Sequence, residues 1–403
     1  MRMKFNKLSQ LMLVGTASLL AAGLITACLD LTEDFVFVTS AKAAGTNNYG
    51  EINIYELDYQ SARMKQILNS PIPSGGRNPV AETVSADYNS LFVVNRDDNT
   101  IVQFVIGHDG KLYPNSTVNT PGIYPIAVSM SASYLVVADT YQPLPTCSDA
   151  APCAGSVAIY PVTAATSSTA VVLGTPATNS ANSSQYWPLT LTASPANVVV
   201  PTAVKISGNY VFVSAYDTTA SPHQGYIFAF SLGSGGVLTA VAGSPFKAGI
   251  QPSGLAVDGS GKFLYVPDYA GNSVLGFTIS SGVLSAISGS PWPAGNAPSA
   301  VAADPVYNYA YVTNSTDSNL TAYTIASSGA LTRTATYTTG SDPVAIGIDP
   351  SKNHFIYVAN FLGSSVSSWE LNAADGSLLI GQGSPAATNA NPTAVAAVPH
   401  ARQ

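Results

Sequence analysis

The feature that most constrains this chain is a unit that recurs through its C-terminal part. Residues Gln251 to Trp292 form four short apolar runs, Gly254–Val257, Phe263–Val266, Ser273–Ile279 and Val283–Ile287. Turn clusters part them: Asp258-Gly259-Ser260-Gly261, Asp268-Tyr269-Ala270-Gly271-Asn272 and Ser280-Ser281-Gly282. Short runs rich in β-branched and aromatic residues, punctuated by Gly, Asn, Asp and Ser, describe strands in a meander. Further copies start at Pro298 and Pro343, and Phe263, Tyr309 and Phe355 lie 46 residues apart. A repeat of about 40–50 residues with four strands per unit is the signature of a propeller blade.

The rest of the chain carries the same marks. A second-strand pattern starts seven times, at Phe35, Ser90, Tyr134, Tyr210, Phe263, Tyr309 and Phe355. An innermost-strand pattern, proline followed by small apolar residues, also occurs seven times, at Pro79, Pro125, Pro201, Pro252, Pro298, Pro343 and Pro392. Small residues suit strands that crowd about a common axis. The expectation is an all-β, seven-bladed β-propeller of four-stranded antiparallel blades. Its first blade opens on a second strand, so the last innermost strand, Pro392–Val398, must complete it. That pairing of N- and C-terminal strands removes the edges an open meander would expose.

The first 27 residues set Arg2, Lys4 and Lys7 before an apolar run, Leu11–Ile25. A basic start, an apolar segment and small residues before a cut describe an export signal rather than a retained anchor. Ile25-Thr26-Ala27-Cys28 resembles the lipobox of bacterial lipoproteins, which implies lipidation at Cys28, and Leu29 behind it implies sorting to an outer membrane. The expected organisation is signal peptide 1–27, lipid anchor and tether 28–34, propeller 35–398 and tail 399–403. Losing the signal and its three cations moves the formal charge from −7 to −10. An acidic chain without a basic run lacks the footprint for nucleic acid. Cys147 and Cys153, in TCSDAAPC, then remain. A disulfide in an oxidising compartment fits them better than a two-thiolate metal site, because no His or third Cys lies nearby.

Tyr311-Val312-Thr313-Asn314 is the tetrapeptide of the YVTN-repeat propellers. The longer pattern, Gly-Ser-Pro-aromatic, then Pro-x-x-Ala/Gly-Val, then Asp-x-Ser-Gly-Lys-Phe-Leu-Tyr-Val, is similar to lactonase-like seven-bladed propellers, among them 6-phosphogluconolactonases and muconate-lactonising enzymes. The resemblance covers Phe35–Val398 and implies a His after the innermost-strand proline and a Glu after the Asn that closes a second strand. Here the first set of positions holds Val80, Ile126, Thr202, Ser253, Ser299, Val344 and Thr393. The second holds Arg96, Thr140, Tyr269, Ser315 and Phe361. Lactone hydrolysis needs a base to activate water and a cation for the developing oxyanion. Arg77 and Arg96 are candidate cations, and Asp139, Asp268 or His223 a displaced base. The four histidines are scattered, and no phosphate loop, nucleophile elbow or haem motif occurs, so no metal or cofactor is expected.

In a propeller, first-to-second and third-to-fourth connections share one face, and the others share the opposite face. The first group is short throughout. Insertions fall in the second: Thr39–Gly50, Thr140–Gly155, Ser214–Gly225 and Gly174–Val200. Long loops gathered on one face commonly carry function. Two functions follow. The favoured one is a lipid-anchored, monomeric, non-catalytic module that binds a glycan, peptide or protein on the long-loop face, with Tyr186, Trp187, Tyr269, Asn95, Asn314 and Asn360 as candidate contacts. The alternative is a lactone hydrolase with a rearranged site.

Overall fold

The computed structural model describes residues 32–41, 48–166, 169–350 and 355–400. They form seven antiparallel sheets arranged as propeller blades. Blade 1 contains Thr32–Ser40, Glu51–Asp58, Met64–Gln66 and Ile72–Pro73, with Pro392–Pro399 as its innermost strand. Blades 2 to 7 open on their innermost strands, Pro79–Val84, Ile123–Met130, Val199–Ser207, Ala256–Val257, Pro298–Ala303 and Pro343–Ile348. Each innermost strand touches the next around the axis, and Pro392–Pro399 touches both Pro343–Ile348 and Pro79–Val84. The ring is closed. The expected seam is in place: Phe35 pairs with Val398, Val36 with Ala397 and Phe37 with Ala396.

Burial explains why the second strands are the legible ones. Phe263–Asp268 and its six counterparts are covered on both faces by neighbouring blades, so they read as continuous apolar runs. Their side chains alternate between neighbours with the strand period of two. Phe35 and Phe37 pack against blade 2, whereas Val36 and Val38 pack against blade 7. There are seven such apolar clusters, one in each interface between blades.

Polar clasps join the blades as well. Second-strand phenols donate to the next blade's outer turn, Tyr265 to Gly329 O at 2.8 Å and Tyr311 to Gly376 O at 3.0 Å. Nearer the axis, Ser253 donates to Pro298 O at 2.7 Å, Ser299 to Pro343 O at 2.5 Å and Thr393 to Pro79 O at 2.9 Å. These three hydroxyls stand at the position after the proline.

In five blades the fourth strand is split in two. Ser70-Pro71, Ser244-Pro245, Ser290-Pro291 and Ser384-Pro385, all cis, lie at the break in four of them. Each serine oxygen accepts the third-strand amide that the interrupted ladder would leave unpaired, from Ile54, Ala229, Gly276 and Ser368. A buried amide without a partner is costly, which gives the Gly-Ser-Pro motif its local purpose.

Two of the expected long loops differ from expectation. At Gly174–Val200, Val172–Leu173 just before the segment and Trp187–Pro188 within it pair with opposite ends of the same third strand. Residues 174–186 are therefore a bulge in the fourth strand, on the outer edge of blade 3. Ser214–Gly225 is half strand, because Tyr210–Asp217 and Gln224–Leu232 stay paired out to Asp217 and Gln224, and the loop shrinks to residues 218–223. Part of Thr39–Gly50, and Cys28, lie outside the described residues.

Candidate functional site

Five of the expected site residues are structural clamps. The last residue of the second-strand pattern is Asn95, Asp139, Asp268, Asn314 or Asn360 in blades 2, 3, 5, 6 and 7, and all five are buried. Each lies beneath a glycine three residues before the innermost-strand proline: Gly76, Gly122, Gly249, Gly295 and Gly340. A Cβ on any of these glycines would meet the clamp side chain at 2.2–2.8 Å. Asp268 accepts the amides of Ile250 and Gln251 at 2.9 and 2.8 Å, and Asn314 accepts that of Gly295 at 2.9 Å. Across the hairpin, Asn314 Nδ2 donates to Asn319 Oδ1 at 2.7 Å and Asn360 Nδ2 to Ser365 Oγ at 3.2 Å. These side chains hold the connector that enters their blade, and they present nothing to the long-loop face.

Asp139 carries the same position as a carboxylic acid. Thr120 and the Gly122 amide lie beside it, but neither oxygen of Asp139 reaches hydrogen-bonding geometry with a partner. Burial pushes its carboxyl up to about 7. Trp187 is likewise consumed by packing, 6% exposed in the core between blades 3 and 4. Tyr186 accompanies it on the outer rim, where its carbonyl accepts from Asn179 and Ser184. His223 stacks on Tyr216 with ring centroids 5.2 Å apart, on the extended hairpin of blade 4. Tyr269 is 41% exposed, directly after the Asp268 clamp.

Arg77 and Arg96 behave differently. Both stand where innermost strands begin on the long-loop face: Arg77 two residues before Pro79, and Arg96 directly after Asn95, its amide bonded to Asn78 O at 3.0 Å. Arg77 Nε donates to Asp98 Oδ1 at 2.6 Å, which raises the guanidinium above its ordinary value, chiefly through that bond. The Arg96 guanidinium carbon sits 4.2 Å from the centroid of the Tyr124 ring. Arg96 donates from NH1 to Asp97 Oδ1 at 2.9 Å, and NH2 lies 3.8 Å from Asp149 Oδ1. Tyr141 donates to the same Asp149 oxygen at 3.2 Å. Its phenol is raised by burial first and by Asp149 next.

Blades 2 and 3 thus bring together at the axial mouth a guanidinium, carboxylates and two phenols, with Arg96 30% exposed. Tyr124 reaches beneath Arg96 from a left-handed backbone, φ 57°. Asn78, Ala297 and Asp342, likewise just before their innermost-strand prolines, share that conformation, so it belongs to the repeat. It is anchored on both sides, by Asn99 Oδ1 accepting the Tyr124 amide at 2.7 Å and by Thr140 donating to its carbonyl at 2.7 Å. Asp149, Tyr124 and Tyr141 are absent from the sequence expectations. The available signal was an acid bracketed by the two cysteines.

Cys147 and Cys153 are bonded, as expected, and their bridge closes the loop that delivers Asp149. So short a loop should contribute at or below ~3 kcal/mol. Reduction is expected to lower the melting temperature little while loosening Asp149 from Arg96. Intact mass with and without reductant checks the bridge. Two free thiols in freshly isolated protein would contradict it. Among the described residues, no group of three or more His, Cys, Asp and Glu side chains is placed to hold a metal.

The family described as lactonase, 7-bladed β-propeller, matches residues 280–396. No curated protein matches the chain. Among solved structures, the periplasmic gluconolactonase of Pseudomonas aeruginosa is similar at a TM-score of 0.69 and 20% identity, over 92% of this chain and 100% of that one. A candidate 6-phosphogluconolactonase of Bacteroides fragilis is similar at 0.69 and 17%, over 92% and 99%. A Lactobacillus plantarum protein follows at 0.65 and 15%, over 91% and 99%. At these identities the likeness shows the fold, a lactonase-like propeller.

Proposed function

We propose that the chain is a lactone hydrolase of the propeller type, exported and lipid-anchored in the cell envelope, whose chemistry has moved to the Arg96 cluster. The observation that carries this reading is Arg96 held face-on to Tyr124 at 4.2 Å, with Asp149 3.8 Å away and Tyr141 bonded to it at 3.2 Å. Asp149 takes a proton from water, and the water oxygen attacks the lactone carbonyl. The oxyanion that forms faces Arg96. Preorganised cations at such a point are usually the largest single contribution to the rate. The ring C–O bond then breaks, and the leaving alkoxide takes the Tyr141 proton, which Asp149 returns along their hydrogen bond. A phenol kept above its ordinary value stays protonated for that role. The lactonase-like fold and the family match to residues 280–396 support this substrate class.

The test is hydrolysis of a panel of five- and six-membered sugar lactones, followed by proton release. Arg96→Ala is expected to lower kcat/KM by roughly 10²–10³, and Asp149→Asn to lower kcat with KM less affected. Wild-type turnover no faster than the buffer reaction would sink the hydrolase reading. A second reading would then apply, that of a module binding sugar acids at the same mouth. The post-proline hydroxyls favour it, because Ser253, Ser299 and Thr393 are committed to neighbouring carbonyls where the resemblance expects a catalytic His. Calorimetry with the open-chain acid, in wild type and Arg96→Ala, separates the two.

A further inference from the structure

The opposite end of the axis holds a cavity of about 580 Å³, bounded by the ends of the innermost strands on the short-turn face. That size is in the range of small-molecule pockets, about 300–1,000 Å³. Its wall is mixed, with polar groups beside the apolar side chains of Val128, Met130, Leu255, Val257, Ile346 and Ile348. Three ionisable residues interrupt it, Glu82, Lys205 and Asp258. The first two break the repeat. Counting from the innermost-strand proline, the other six blades have Val, Leu or Ile at the position of Glu82. At the position of Lys205 they have Ala, Gly, Ser or Thr.

The two groups are in different electrostatic situations. The Glu82 carboxyl is buried and accepts from Thr39, while its Oε1 is sealed from solvent without a partner. Burial pushes it up to about 8, so it is largely neutral at neutral pH and does not repel an anion. The other acid on the wall, Asp258, spends its oxygens on its own turn, accepting from Ser260, Lys262 and Phe263. Lys205 lines the cavity, solvent-exposed, with no ion pair or hydrogen bond among the described residues. A cation without an ion-pair partner, set beside apolar side chains, can take an anion brought from outside in a charge-assisted hydrogen bond.

We propose that the short-turn end of the axial channel is a ligand site for a small aliphatic carboxylate, its head group on Lys205 and its apolar body along the channel wall. The site is separate from the Arg96 mouth and stands whether or not that mouth is catalytic. Calorimetric titration of the purified full chain with sodium octanoate tests it. Single-site saturable binding is expected, at least ten-fold weaker in Lys205→Ala and preserved in Lys205→Arg and Arg96→Ala. 1-Octanol tests the need for the charge, and inorganic phosphate the need for the apolar body. Both should bind at least ten-fold more weakly than octanoate. Absence of saturable octanoate binding would overturn the proposal. So would equal affinity for octanol or phosphate, or equal affinity in a Lys205→Ala protein that melts as cooperatively as wild type. The octanoate–octanol comparison needs no variant, so a misfolded Lys205→Ala protein would not shelter the idea.

Discussion

A chain ending at Asn391 is expected not to fold. The deletion removes the innermost strand of blade 1, and with it the register that pairs Asp34–Ser40 with Pro392–Pro399. It also takes Val395 and Ala397 from the cluster shared with blade 7, and the fully buried Val398 from the cluster shared with blade 2. Two valines alone are worth about 3–6 kcal/mol. The exposed edge and the opened ring add to that, against a typical total stability of about 5–15 kcal/mol. Loss of the cooperative thermal transition, followed by circular dichroism, is the expected result. Val398→Asp should have a similar effect by placing a charge between Phe35 and Phe37. A truncated chain that still melts sharply within a few degrees of wild type would show that the seam is dispensable.

Asp139→Asn is expected to stabilise the protein, and to do so only as pH rises. Burial holds the Asp139 carboxyl at about 7 in the fold, against an ordinary value of 3.8. The native state therefore keeps a proton that the unfolded chain releases. The penalty is absent below about pH 4, grows as pH rises towards 7, and is complete above it. At 1.36 kcal/mol per unit, its ceiling is about 4 kcal/mol. The substitution copies what other blades already do. Asn95, Asn314 and Asn360 donate to the third-strand residue paired with them, Thr100, Asn319 and Ser365. The corresponding partner of Asp139 is Ser156, whose Oγ is buried and unbonded. The unfolding free energy of Asp139→Asn from urea titration should exceed wild type by roughly 2–4 kcal/mol at pH 8, falling to about 1 kcal/mol at pH 4.5. Glu82 titrates in both proteins and cancels from the comparison. A gain of equal size at both pH values would show that the carboxyl is not held neutral.

The propeller was legible because its second strands are buried on both faces and so carry an unbroken apolar signature, as in Phe355–Asn360. Fourth strands were less so. Pieces as short as Trp187–Pro188, interrupted by a bulge, have no period to read, and residues 174–186 therefore passed for a face loop. Asparagines at strand ends read as ligand contacts, because a polar residue there looks the same in sequence whether it meets a ligand or a backbone. The glycine three residues before the proline carries the distinction. It occurs in the five blades with Asn or Asp at the clamp, and is Val198 or Asn389 where the clamp is Ala215 or Ser40. Arg77 and Arg96 could be placed at the mouth from the repeat alone. The partners of Arg96 could not, since Tyr124, Tyr141 and Asp149 reach it from the neighbouring blade.

Because blade 1 is assembled from both ends of the chain, the molecule has a single point of departure. Thr32 pairs with Asp58 and Asp34 with Pro399, so the described chain leaves in both directions from the short-turn face. Any load attached before Thr32 or after His400 hangs from that side, as a lamp hangs from its fitting. The Arg96 mouth lies at the other pole, a strand length away, roughly 20–25 Å for six to eight residues. The two openings of the axis are thus unequal in circumstance. The cavity of Lys205 lies on the face from which both ends of the described chain leave, and the cluster of Arg96 on the opposite one.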